Sequence, residues 1–201
     1  MTEKEFEKKK KDFNDWAGER AKYYFQRKAI YGNRSDIINQ PISEYFQECI
    51  KCYSKERLMS QFNYTEEQYN QIMDFYNECF WKEFNYWQKR FNEAESVIEK
   101  YNPIFKEAEK VAKKVNVSDI HDGFPCGQAH LYLDPSRKDT ELGKALALIN
   151  SDSDSDPYTY ELPITLPSYG QCVSFDEKIC EKVKDFLKEK GIPALVDIFI
   201  D

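Results

Sequence analysis

The chain has no long hydrophobic run. No stretch approaches the roughly eighteen apolar residues that a membrane-crossing helix needs, and the start, Met1-Thr2-Glu3-Lys4-Glu5, leads into charge rather than an apolar segment. Neither a membrane span nor a secretory signal is expected, and the expected location is the cytoplasm. Histidine is almost missing, with two in 201 residues, both beyond Val117. Carboxylate-bridged metal sites in helical bundles draw on Glu-x-x-His pairs, which excludes that role for Glu78, Glu83, Glu93, Glu95 and Glu99.

Cys-x-x-Cys occurs once, at Cys49 and Cys52, without the second matching pair that zinc ribbons place downstream. Cys172 and Cys180 do not have a metal spacing either, so no metal and no cofactor is expected. In a reducing compartment the six cysteines read as thiols rather than bridges. No internal repeat is present.

Basic clustering is also lacking where the charge lies. Residues through Val117 carry 21 Lys+Arg and 20 Asp+Glu, and the remainder carries 8 and 16, so the net charge of −7 belongs to the C-terminal part. A surface that tracks phosphates needs the opposite balance, which makes nucleic acid a poor partner. An acidic nucleic-acid mimic would need these carboxylates in a spaced row. The run Lys8 to Lys11 reads as a solvated helical face.

Aromatic residues are plentiful: 14 Phe, 14 Tyr and 3 Trp, with all three Trp and most Phe before Asn116. Over 6–31, Phe6, Phe13, Trp16 and Tyr23 recur near every seventh position and predict a long helix. The segment 42–62 repeats the pattern as a second helix. Thr65 and Gln68 form a capping box that opens a third, whose stripe runs Met73, Tyr76, Phe80, Phe84, Trp87, Phe91, Ala94, Ile98 and Tyr101. Asn102-Pro103 opens a fourth helix over 104–115 or kinks a continuing one.

Beyond Asn116 the texture becomes short runs between Gly, Pro, Ser and Asp clusters. Strands are expected at 129–133, 158–162, 171–174 and 194–200, with helices at 141–148 and 176–190, the last capped by Asp176 and stopped by Gly191. The expected fold is α+β: a helical bundle or long hairpin over 1–115, then a small acidic βαββαβ-like domain of about four strands over 116–201.

The run Gly123-Phe124-Pro125-Cys126-Gly127-Gln128-Ala129, followed by Ser174-Phe175-Asp176 opening a helix and Gly191-Ile192-Pro193-Ala194 before a closing strand, resembles a family of uncharacterised bacteriophage proteins. The resemblance covers about the last 85 residues. It implies a phage product acting inside an infected bacterium, and no activity.

Three kinds of function follow. The first is a non-enzymatic factor that binds a host or defence protein as inhibitor or adaptor, with Tyr69, Trp81 and Tyr86, which lie off the main stripe, as anchors. The second is a cysteine-dependent or metal-assisted hydrolase centred on Cys126, with His121 or His130 as base. Against it stands the common role of a free cysteine as a small buried hydrophobe. The third is a virion or scaffolding component that self-associates through the stripe of the third helix. The run 151–156 alternates Ser and Asp like the start of a calcium loop but lacks its glycine and closing glutamate, and reads as a solvated loop.

Overall fold

The computed structural model describes residues 2–31, 45, 54–120, 127–150, 159–167 and 173–200. Helix α1 covers Glu3–Tyr31, α2 Lys55–Phe62 and α3 Glu66–Ala112. Strand β1 is Gly127–Leu133, a short 3-10 turn spans Pro135–Arg137, α4 is Glu141–Asn150, α5 is Val173–Glu189, and β2 is Ala194–Ile200. This is an α+β chain of long helices with a small antiparallel sheet. It divides into two compact units, Met1–Phe91 and Asn92–Asp201, so the last turns of α3 belong with the C-terminal elements.

In the first unit α1 opens with a capping box. The Thr2 backbone amide donates to Glu5 Oε2 at 2.8 Å, and the Glu5 amide donates to Thr2 Oγ1 at 3.3 Å. Ala17 and Ala21 are fully buried, small enough to let other side chains close in, and the rings pack around them. Phe13 stacks on Tyr76, while Phe25 meets Phe84 at 4.7 Å and Phe91 at 5.7 Å between centroids. From Tyr76 to Phe91 the stripe of α3 is thus packed against α1 of the same chain, while Ile98 and Tyr101 pack with the core of the second unit.

The expected second helix, 42–62, is corrected in part. Tyr45 is helical and the other residues of 42–53 lie outside the described residues. The expected helix is interrupted at Ser54, which is extended and whose side chain accepts the Arg57 amide as the N-cap of Lys55–Phe62. It stops at Asn63, which takes the left-handed conformation at φ 51°. The next helix begins where its capping box predicts: the Thr65 amide donates to Gln68 Oε1 at 3.2 Å and the Gln68 amide to Thr65 Oγ1 at 3.1 Å. Pro103 lies inside α3 rather than at a new start, on an exposed position where the missing donor is tolerated.

The second unit has an aliphatic core. Leu131 and Leu133 of β1, Leu142 and Leu146 of α4, and Ile179, Val183 and Leu187 of α5 pack with Phe105, Ala108 and Ala112 of α3. β1 pairs antiparallel with β2 from Gly127↔Ile200 to Leu133↔Ala194. Gly127 is required there, since a Cβ on it would strike the Phe199 carbonyl oxygen and Val173. Gly191, at φ +79°, ends α5 as expected, with the Ile192 amide bonding back to the Leu187 carbonyl at 2.9 Å.

The expected four-stranded sheet differs. The strand at 158–162 is, over its described residues, a single bridge, Glu161 opposite Tyr132. Of 171–174, Val173 and Ser174 belong to α5 and the other two lie outside the described residues. Asp176 is accordingly not a cap but sits inside the first turn of α5.

Candidate functional site

The bridge at Glu161 explains how a groove forms. The Leu133 amide donates to the Tyr160 carbonyl and the Leu162 amide to the Leu131 carbonyl, both at 2.9 Å, so residues 160–162 lie along the edge of β1 that faces away from β2. Pro163 follows, and the Ile164 amide turns back to the Leu162 carbonyl at 2.8 Å instead of continuing along β1. That three-residue turn suits proline, whose fixed φ matches the inverse γ geometry. The Thr165 amide donates to Glu109 Oε1 at 3.1 Å, which holds the diverging segment onto α3.

The space left between this segment, β1 and the start of α5 is a groove of about 190 Å³. Leu162, Ile164, Leu166 and Pro167 form an apolar wall, and Gln128, His130, Glu161 and Asp176 supply its polar groups. His130 Nδ1 lies 2.7 Å from Glu161 Oε1, and the ring sits edge-on to Phe199 at 5.4 Å. Across the sheet His130 faces Asp197. Burial pushes the Asp176 carboxyl above the usual carboxylate range, partly offset by attraction to His130. A carboxylate on one imidazole nitrogen fixes the ring's orientation.

Among the described residues, no group of three or more His, Cys, Asp or Glu side chains is placed to hold a metal ion. No family model, curated protein or solved structure matches this chain. No described helix is long and apolar enough to cross a membrane.

Of the residues singled out from the sequence, His130 reaches the groove, while His121 and Cys126 lie outside the described residues, as do Cys49, Cys52 and the run 151–156. The three aromatic candidates differ. Tyr69 is half-buried against the core of the first unit. Trp81 is also half-buried, and its Nε1 donates to Asn77 Oδ1 at 3.1 Å. Tyr86 is 49% exposed, and its hydroxyl accepts from Arg90 Nη1 at 2.9 Å.

Sequence reasoning missed Glu161, Asp176 and a second feature on the outer strand. Leu195, Ile198 and Ile200 of β2 are 45%, 38% and 63% exposed, more than a strand of this apolarity usually leaves in water. Because residues 131 and 133 turn their backbone groups toward 160–162, those of 128, 130 and 132 turn toward β2, and the backbone of Val196 and Ile198 points outward. The Ile198 amide donates to the Asp197 carboxylate at 3.0 Å, a local bond that blunts this edge. The lone charge of Asp197 in an otherwise apolar strand was the available signal, but a strand's outer position is a property of topology.

Proposed function

We propose that this chain is a non-enzymatic protein-binding factor that takes a partner's extended segment along β2. The observation that supports this reading is the exposure of Leu195, Ile198 and Ile200 on the strand that, among the described residues, is outermost and carries a single charge. Added strands gain affinity from main-chain bonds and specificity from alternate side chains. With residues 160–162 bridged to β1 on one side, a partner strand on the other side would extend the two-stranded sheet along β2. Asp197 must release the Ile198 amide for this to happen, which favours a partner strand with a basic residue opposite it. The bacteriophage resemblance directs the search to a host or defence protein, and Tyr86 is the aromatic anchor most open to it.

The test is capture of a purified candidate from an infected-host lysate, followed by amide hydrogen exchange on the complex. Binding along β2 slows exchange at Val196 and Ile198, and Ile198→Lys with Ile200→Asp abolishes capture. A partner retained by that double variant, with no slowing on β2, sinks the proposal.

A second reading is kept by the His130–Glu161 pair, which orients an imidazole as a cysteine-dependent hydrolase centred on Cys126 requires. Here iodoacetamide at neutral pH labels Cys126 quickly, and His130→Asn slows it. Cys79 and Cys180 serve as internal controls: both thiols are pushed up by burial, that of Cys180 to about 12. Labelling of Cys126 no faster than theirs removes the hydrolase.

A further inference from the structure

The groove beside His130 has a composition of its own. Its polar groups include two carboxylates, Glu161 and Asp176, and among the described residues no lysine or arginine lines it. The His130 imidazole is shared with Glu161 at 2.7 Å, so it offsets only part of the acidic character. The opposite wall is aliphatic, which suits methylene groups rather than a hydrated ion. A metal ion is a poor occupant, since among the described residues no three His, Cys, Asp or Glu side chains are placed together to hold one.

Size narrows the occupant further. A cavity of roughly 150 Å³ holds benzene, so 190 Å³ suits a group of similar or slightly larger bulk, such as three methylenes and a guanidinium. A guanidinium also suits a site lined by carboxylates, because its five donors lie in one plane and pair two at a time with them. An ammonium is a compact, strongly hydrated charge that gives up more water in such a place.

We propose that the groove bounded by β1, the segment after Pro163 and the start of α5 is a binding site for an alkylguanidinium group, with Glu161 and Asp176 receiving the head and Ile164 and Leu166 covering the chain. The burial of Asp176 agrees with this, since a guanidinium supplies the counter-charge that solvent does not. The site is separate from the outer edge of β2 and does not depend on a strand binding there.

The experiment is a titration of the isotope-labelled full chain with n-propylguanidinium, read at the ring signals of its two histidines, with His121→Asn to assign them. His130 shifts saturably. Glu161→Gln and Asp176→Asn each weaken binding about tenfold or more while leaving the amide spectrum folded. Leu166→Trp, at the half-buried apolar end, blocks it. Propylammonium binds more weakly, and butanoate does not shift His130. A blocked Gly-Arg-Gly peptide that binds as tightly assigns the group to a protein side chain, and its exclusion assigns it to a free guanidine; both support the site. The proposal is overturned by an unsaturable shift, by equal response to butanoate, or by full affinity in both the Glu161→Gln and Asp176→Asn variants.

Discussion

The two units build their interiors from different materials. In the first, Phe6, Phe13, Tyr64, Tyr76, Phe80 and Phe84 are buried together with alanines, and helices meet through rings. In the second, Leu, Ile, Val and Ala dominate, and of the rings Phe105 is buried in that cluster. A ring covers much area from one position but packs only in certain orientations. Aliphatic side chains fill smaller spaces on both a helix and a strand, which suits a core that must mate α5 with β1. The lesson is that the aromatic half is specified by a few large contacts and the other half by many small ones.

That contrast is broken most directly at Phe80, which is fully buried and edge-on to Trp81 at 5.7 Å. Phe80→Ala costs about 3–5 kcal/mol in urea unfolding and weakens the near-ultraviolet circular dichroism of the packed rings. Leu187→Ala, at an equally buried position in the second unit, costs about 2–5 kcal/mol and leaves that signal almost unchanged. Equal loss of near-ultraviolet signal in both variants would show that the two cores are not distinct in kind.

A smaller effect is expected at the sheet. Gly127→Ala forces a methyl against the Phe199 carbonyl and Val173, and destabilises by about 1–3 kcal/mol, with faster amide exchange in β1 and β2. Thr65→Ala removes half of a reciprocal cap and costs about 1 kcal/mol, measured by thermal melting. The smallest change has the opposite sign. The Asp176 carboxyl is raised by burial, so whatever stability it contributes is present below its unfolded range and lost as pH rises through its folded value. Asp176→Asn is therefore more stable than the parent at neutral pH and indistinguishable from it in acid, where both side chains are neutral. A variant less stable than the parent at neutral pH would mean that the ionised carboxylate is favourably held.

Local chemistry made much of this fold legible. Thr65 with Gln68, Gly191 after α5, the alternation that gave β1 and the apolar run that gave β2 each act within a few residues, and each stands where the sequence places it. The start of α5 was harder, because Asp176 has the right chemistry for a cap but Val173 already belongs to the helix. The site was less legible still. His130 stood out by rarity, whereas Glu161 is one acidic residue among many and becomes significant only when the bridge to Tyr132 sets it beside the imidazole. Exposure of Ile198 and Ile200 depends on which strand is outermost. Neither pairing nor exposure is written in a local pattern.

Pro163 has a consequence for how readily this chain's surface can change through descent. At Pro163 the Ile164 amide turns back to Leu162, and this turn, together with the Thr165–Glu109 bond, sets the segment off from β1. Serine, threonine, alanine and leucine are each a single base change from proline, and each frees the backbone at 163 to stay extended. Ile164 can then rejoin β1, lengthening the sheet and filling the groove. A lineage can thus gain or lose this concavity in one mutational step without altering any of the side chains that line it.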